Sequence, residues 1–394
     1  MRRKVTMGDL GTIITGNTPP RSMPELYGDY TPFVKATDIS ESEKYTYTPE
    51  ECYSKEGHDK YIRSLVPKGS TCVVTIGSIG KKMTMAHCDL FINQAMNAII
   101  PNENFDNEFV YYAVKNVLSN IKGLDSGTAS GRENVSKSAF SRMEVVVDDD
   151  MIIQQRIATI LSRYDSLIEN YQKQIKLLEE AAQRLYKEWF VDLHFPGHEN
   201  TKIVDGVPEG WEKKSVSQLG DYLNGFAFKP SDWQETGKPI IKIKEMGNGV
   251  SDETPRNNGE RVPAKYLIKA GDLLFSWSAT LMVIVWTGEE GWLNQHLFKV
   301  TPAKGIGREF LLQSISNAID EFSNLTTGST MKHIQRNKLD QVFVNTPSSI
   351  VMEKYNKVAE SIRAQTINLS SQIRLLTEAR DRLLPKLMSG EIEV

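Results

Sequence analysis

The chain has 394 residues, 40% of them hydrophobic and 25% charged, with a formal net charge of -3. That balance excludes a disordered or fibrous chain and leaves material for two ordinary cores. It also argues mildly against a solitary basic DNA binder, so any DNA-binding face has to come from segregated charge or from bound partners. The three cysteines, Cys52, Cys72 and Cys88, form no C-x-x-C pair, which argues against a disulfide framework and for a reducing compartment. His58 and His87 lie near them in sequence, but a zinc site would want paired ligands at short spacing.

The basic start Met1-Arg-Arg-Lys4 is interrupted by Met7-Gly8-Asp9 before any secretory apolar stretch can form. Mixed short strands and turns follow, and Cys72-Val-Val-Thr-Ile76 reads as a buried strand. Two fragments here imitate catalytic motifs. Gly77-Ser-Ile-Gly-Lys81-Lys82 resembles part of a phosphate loop, but its glycine spacing is too short and Lys82 replaces the magnesium-binding hydroxyl. Asn17-Thr-Pro-Pro20 is similar to the N-P-P-Y tetrapeptide of adenine methyltransferases, yet Thr18 intrudes and no aromatic residue follows.

Asp148-Asp149-Asp150 precedes a long helix, where acidic residues suit the helix dipole. Apolar positions then step by four and three through Ile157, Leu161, Tyr164, Ile168, Tyr171, Ile175, Leu178, Ala182, Leu185 and Trp189. This heptad seam predicts a helix from Gln154 to about Phe190 that packs lengthwise on another helix. At 1.5 Å per residue it measures about 55 Å, against about 30 Å for a domain of roughly 150 residues. The segment from Phe195-Pro-Gly-His-Glu-Asn200 to Val207-Pro-Glu-Gly-Trp211 reads as a linker. Beyond it, Leu281-Met-Val-Ile-Val-Trp286 reads as a second buried strand, and is too short to span a bilayer.

Ile175-Lys-Leu-Leu-Glu-Glu-Ala-Ala-Gln-Arg-Leu185 returns 198 residues later as Ile373-Arg-Leu-Leu-Thr-Glu-Ala-Arg-Asp-Arg-Leu383, with seven of eleven positions identical. The second copy carries the seam Tyr355, Ala359, Ile362, Thr366, Leu369, Ile373, Leu376, Arg380 and Leu383. Thr366 and Arg380 are expected to fix register, and Leu167, Leu177 and Leu384 to lie exposed off the seam. The echo extends upstream. Leu10-Gly11 and Gly16 match Leu219-Gly220 and Gly225, Pro32 with Lys35 matches Pro239 with Lys242, and Lys68-Gly69 matches Ala270-Gly271. Asn93-Gln94 matches Asn294-Gln295, Pro101 matches Pro302, and Gly127-Thr128 matches Gly328-Ser329. Shared glycines and prolines fix backbone shape, while the loops between them diverge. The expected fold is therefore α+β: two mixed units separated by two long helices that pair as an antiparallel coiled coil, in a pseudo-two-fold internal repeat. The boundaries are 1–150 and 213–346 for the units, 151–190 and 347–390 for the helices, and 191–212 for the linker.

This arrangement resembles the specificity subunit of Type I restriction-modification enzymes. The likeness rests on Pro208-Glu-Gly-Trp211 with Leu219-Gly220, Gly16-Asn17-Thr18-Pro19, Lys35-Ala-Thr-Asp-Ile39, the two Asn-Gln pairs and the helix opening Gln154-Gln155-Arg156-Ile157-Ala158. The first half lacks the Pro-Glu-Gly-Trp lead-in, and Met352-Glu353-Lys354 replaces the helix opening in the second. The resemblance implies that each unit reads one half of a bipartite, asymmetric target in double-stranded DNA. It implies that the helices set the spacing and dock two methyltransferase subunits, through which restriction subunits join. It further implies a non-catalytic, cytoplasmic chain with no membrane partner and no cofactor of its own. S-adenosylmethionine, ATP and magnesium then belong to the partners, which carry N6-adenine methylation and ATP-driven cleavage. A self-contained methyltransferase or nuclease needs a cofactor loop or acidic metal set, and no such motif is visible. The remaining alternative is a coiled-coil scaffold whose units bind protein or RNA.

Base edges are read by Arg, Lys, Asn and Gln, and phosphates by Lys, Arg, Ser and Thr. On the aligned loops the candidates in the first unit are Asn17, Thr18, Arg21, Lys35, Thr37, Ser78, Lys81, Asn93, Arg132 and Asn134. In the second they are Asn224, Phe228, Lys229, Lys242, Lys244, Ser276, Trp277, Ser278, His296, Lys332 and His333. Asn93 and Asn294, present in both copies, suit the shared frame better than discrimination between sequences.

Overall fold

A computed structural model describes residues 2–125, 133–324 and 336–394. The chain divides into two compact units, one formed by Met1–Glu169 with Leu375–Val394 and the other by Asn170–Arg374. Each long helix therefore contributes to both units, a partition different from one that cuts at the helix ends.

In the first unit a four-stranded antiparallel sheet runs in the order Gly11–Thr15, Met96–Pro101, Thr71–Val74, Met83–Met85. A second sheet contains Tyr27–Gly28, Glu51–Tyr53, Thr31–Val34 and Phe91–Ile92, the last two strands being parallel. The second unit repeats this topology with Gly220–Asn224, Leu297–Pro302, Leu273–Ser276 and Met282–Val285. Its second sheet places Lys238–Ile241 parallel to Gly291–Leu293 in the same way. Even the register is kept, with Gly11 opposite Pro101 and Gly220 opposite Pro302. Met282, Val283 and Ile284, on the edge strand, are only half-buried, whereas the equivalent edge strand Met83–Met85 is buried.

The first long helix covers Met151–Tyr186 and ends in a π-helical turn over Lys187–Val191. It begins three residues before Gln154, where the Asp150 carboxylate accepts the Ile152 N–H at 2.8 Å. This acid serves the helix start, while Asp149 pairs with Arg3 at 2.5 Å. The second long helix covers Ser349–Ser389. Within the first unit, Ile157, Ala158 and Leu161 share a core with Leu384, Leu387 and Met388. Within the second, Phe190 meets Tyr355 at a ring-centroid distance of 4.8 Å, and Tyr186 and Ala359 belong to the same core. The residue numbers run in opposite directions, so the helices pair antiparallel.

Along the seam Ile157, Leu161 and Ile168 are buried, whereas Tyr164, Tyr171, Ile175, Leu178 and Leu185 are half-buried. Ile362, Leu369, Ile373, Leu376 and Leu383 are half-buried too. Leu384 is a correction: it is 5% exposed, inside the first unit's core, while Leu167 and Leu177 are exposed. Near its end the second helix buries Arg380 on the extrapolated stripe, but then Leu384, Leu387 and Met388, with Leu384 deeper than the expected Leu383. The linker is also more than a tether, since Phe195 and Trp211 are buried at a centroid distance of 4.8 Å in the second unit's core.

Two buried ion pairs anchor the helices. Arg380 contacts Asp165 at 2.5 Å, and the other oxygen of Asp165 accepts the Tyr112 hydroxyl at 2.5 Å. Arg363 grips Glu309 with two hydrogen bonds, at 2.8 and 3.1 Å, and Gln313 donates to the same carboxylate at 2.9 Å. Thr366, almost fully buried, returns its hydroxyl to the Ile362 carbonyl at 3.1 Å. Removing one member of a buried pair leaves the other charge desolvated and alone. Arg380→Ala should therefore destabilise the protein by about 3–5 kcal/mol, read as a shifted midpoint in denaturant unfolding. Arg380→Met combined with Asp165→Leu should recover most of that loss.

Burial lowers Lys115, whose ring neighbour is Tyr111, to a pKa of about 8 from the usual 10.5. Below pH 8 the folded state bears the full penalty of a buried cation, and the penalty fades as pH rises towards 10.5. Buried Tyr112 acts oppositely, because its raised pKa adds stability below the ordinary value of 10 that is lost above it. Thermal stability should rise from pH 8 to near pH 10 and then fall. Lys115→Met should be more stable than the parent at pH 7 and lack the rise; an unchanged profile would contradict this.

Candidate nucleic-acid interface

Antiparallel pairing gathers alternate strand ends at one rim of each main sheet. In the first unit Thr15 pairs with Asn97, Val74 with Met96 and Val73 with Met83. The segments leaving these ends carry Asn17, Thr18 and Arg21, then Ser78 and Lys81, then Asn93. The structure thus brings together candidates far apart in sequence. Asn134 joins them through a bridge to Ile76, and the Asn93 N–H donates to the Val34 carbonyl at 3.1 Å beside Lys35.

The turn that frames this rim is built from shared residues. A Cβ on Gly16 would stand 2.2 Å from the Ile92 carbonyl oxygen, and one on Gly225 would stand 2.2 Å from that of Asn294. Asn17 N–H donates to Ile92 at 2.9 Å, and Phe226 N–H to Leu293 at 2.9 Å. Only glycine permits this approach. Asn294 is 5% exposed, and its side chain accepts the His296 N–H at 3.3 Å, so it holds the turn.

Side chains on the first rim differ in availability. Asn17, Thr18 and Ser78 are exposed, and Thr37 is exposed on the turn after Lys35. Thr18 hydrogen-bonds to Gln94, and Asn17 donates to Ser64 at 3.3 Å. Arg21 lies 2.9 Å from Glu51 and over the Tyr27 ring at 4.7 Å. Lys35 pairs with Glu50 and lies 3.7 Å from Glu51. The Glu50 hydrogen bond holds Lys35 above its ordinary pKa, and Lys35 holds Glu50 below its own. These cations already carry counter-charges, which sequence spacing did not reveal.

At the second rim Trp277 donates from its indole to Asn224 at 3.3 Å and lies 6.0 Å from the His296 ring. Ser278 Oγ is 3.4 Å from His296 Nδ1. Two candidates face inward. Ser276 is fully buried and donates to the carbonyls of Ser278 and Thr280, and Ser278 is 3% exposed. They shape the turn and present no edge to a ligand, because the strand's last inward position and the tight turn after it consume both hydroxyls. Phe228 packs edge-on to Phe226 at 4.9 Å and Lys229 is exposed. Lys242 sits over half-exposed Trp233 at 4.9 Å, and Lys244 pairs with Glu253 at 3.2 Å. Trp233, an aromatic surface beside a cation, was missed in the sequence for want of any motif. Arg132, Lys332 and His333 lie outside the described residues.

Gly77–Lys82 forms the turn between Thr71–Val74 and Met83–Met85, with no helix following, which is unlike a phosphate loop. Among the described residues no group of three or more His, Cys, Asp or Glu is placed to hold a metal. Burial pushes the Cys72 thiol up to about 12. No described helix is long and apolar enough to cross a membrane.

Sequence and fold comparisons agree with the duplicated architecture. The Type I restriction modification DNA specificity domain matches residues 3–180 and 208–357. The specificity subunit of the Type I restriction enzyme MjaIX from Methanocaldococcus jannaschii is 26% identical over 409 residues, covering 98% of this chain and 92% of that protein. The HindI specificity subunit of Haemophilus influenzae is 30% identical over 311 residues, covering 62% and 68%. The crystal structure of the Type I restriction-modification S subunit from M. genitalium superposes with a TM-score of 0.56 at 16% identity, covering 98% of this chain and 96% of that one. With two matched segments, each carrying the same sheet and the same glycine turn and running into a long helix, the chain belongs to the Type I restriction-modification DNA specificity family.

Proposed function

We propose that this chain supplies sequence recognition to a Type I restriction-modification assembly, each unit reading one half of a bipartite target in duplex DNA. The observation that carries this reading is a constant frame with variable rims. Gly16 and Gly225 make the same turn, yet Thr75–Gly80 in one unit is replaced by Ser276–Thr280 in the other. Direct readout depends on donor and acceptor patterns on side chains, so unlike rims on like frames select unrelated half-sites. The target is accordingly asymmetric.

The paired helices serve as the spacer between two half-sites read about one DNA turn, roughly 34 Å, apart. They also present apolar side chains to partners: Leu167, Leu177, Val358 and Leu375 are 43%, 64%, 45% and 56% exposed. Surfaces of this kind mark interaction sites, and two methyltransferase subunits are the proposed occupants, with restriction subunits joining through them. Methyl transfer and ATP-dependent cleavage, with their S-adenosylmethionine, ATP and magnesium, fall to those partners.

Methylation sequencing of DNA from cells expressing the chain together with a methyltransferase subunit should reveal a two-part motif absent from cells expressing either protein alone. Co-purification of the two proteins without any motif would instead favour a scaffold that binds protein or RNA. Asn224→Ala should weaken the half-site of the second unit by about 1–3 kcal/mol, the size of a good base contact, and leave the other half-site unaltered in a competition assay.

A further inference from the structure

Beside the first rim, a cavity of about 420 Å³ opens along the edge strand Gly11–Thr15 and is lined by Asn17, Lys60, Arg63, Ser64 and Lys137. No carboxylate lines it. Lys60, Arg63 and Lys137 are all exposed. Among the described residues Lys60 donates to the Met23 sulfur at 3.5 Å, and none of Lys60, Arg63 and Lys137 makes an ion pair. This sets them apart from Arg21, Lys35 and Lys244, each held by a glutamate. Among the described residues, positive charge here stands without a counter-charge, in a concavity that Ile13, Ile14 and Tyr61 also line, which suits an anionic chain.

The internal repeat supplies the second observation. Arg63 is the middle residue of the 3-10 turn Ile62–Ser64, and the corresponding turn Ala264–Tyr266 has Lys265 at its middle. Both turns close with the following leucine N–H donating to the first residue's carbonyl. Lys137 opens the short helix Lys137–Arg142, and Arg336 opens the corresponding turn Arg336–Asp340. Their registers agree independently: six residues beyond each, the Met143 and Val342 carbonyls accept N–H groups from Met7 and Val216, both at 2.9 Å. Lys265 and Arg336 are exposed, and neither makes an ion pair among the described residues. The two positions thus keep a cation in both units, Arg with Lys in one and Lys with Arg in the other, while the rims beside them diverge. Equal charge with exchangeable side-chain type, kept while the neighbouring rims diverge, fits a phosphate oxygen, which either cation satisfies and which is the same at every sequence.

We infer that Arg63 with Lys137, and Lys265 with Arg336, are equivalent backbone clamps that seat each unit on the phosphodiester chain of duplex DNA and carry no sequence information. Lys60 extends the clamp in the first unit alone, since Val262 is its counterpart two residues before the second turn. The inference rests on the DNA-reading function proposed above. It adds that affinity and selectivity are divided between separate residues: the clamps give binding to any duplex, and the rims choose among sequences.

The test uses the chain in complex with its methyltransferase subunits and two labelled duplexes, one bearing the methylated motif and one scrambled, titrated over a series of salt concentrations. Each neutralised phosphate contact contributes about 0.9 to the slope of log affinity against log salt. R63A/K137A and K265A/R336A should each lower that slope by about 1.8 and weaken both duplexes by the same factor, with the methylated motif unchanged. The charge-keeping R63K/K137R should retain the parent slope, which separates lost charge from lost folding. An unchanged slope in both alanine variants would overturn the inference, and so would a loss confined to the motif duplex, since that marks base readers. A parent complex that does not prefer the motif duplex would sink the sequence-reading function itself, while the slopes would still decide whether these four cations meet phosphate.

Discussion

Charges taken out of water at the helix pair constrain how the two copies of the repeat combine. A buried cation or anion is tolerable only beside its partner, and each unit answers this differently. Asp165 and Arg363 hold the same place in the repeat, 198 residues apart, and carry opposite charges. Asp165 is satisfied by Arg380 on the opposing helix and by Tyr112 from the globular part. Arg363 takes its ion pair from the globular part, from Glu309, and the counterpart of Arg380 is Ala182. The helices are similar enough to share a seam and dissimilar enough that sliding or exchanging them would strand a charge. Register, antiparallel direction and pairing of unlike copies then follow from one electrostatic requirement, as polar residues in coiled-coil cores commonly specify.

The globular parts divide their labour in another way. Backbone proximity at Gly16 and Gly225 leaves no room for a side chain, so the turn is the same in both copies and the loops leave it in the same direction. What those loops carry is free to change, because the frame is held by main-chain hydrogen bonds and not by the loop side chains. In the second unit Trp277 contacts both Asn224 and His296. In the first unit Thr18, Gln94 and Asn17 occupy the comparable rim. Constancy sits in the backbone and variation in the side chains, which is the arrangement a family of readers with many targets requires.

Much of this was legible in sequence, for physical reasons that differ by element. The heptad seam from Ile157 announced a long helix because burial against a partner imposes its period wherever it occurs, and the glycines announced turns because no other residue fits them. The antiparallel pairing followed from the repeat of that seam. The errors share a cause as well. Leu384 is buried because the helix end meets the first unit's core, a neighbour that the period alone does not reveal. Ser276 and Ser278 suit phosphate by side-chain type, but side-chain direction at a strand end depends on pairing with Met282 and Leu297. Glu51 neutralises Arg21 across 30 residues, and Phe195 with Trp211 docks a segment read as a tether. Contacts between distant residues decide such cases, and composition carries no trace of them.

The grip of Arg363 on Glu309 joins a helix residue to a residue of the recognition domain itself. The specificity domain and the long helix are consequently not independent modules at this point. A chimaera that imports a foreign segment spanning position 309 but keeps this chain's second long helix inherits whatever stands at that position, and an apolar or basic residue there leaves a guanidinium sealed in the core. The same holds for a first domain grafted without a hydroxyl at position 112. Viable exchanges of specificity must therefore move the helix and domain partners together, so the chain's seams of recombination lie at its buried charges and not at its apparent domain edges.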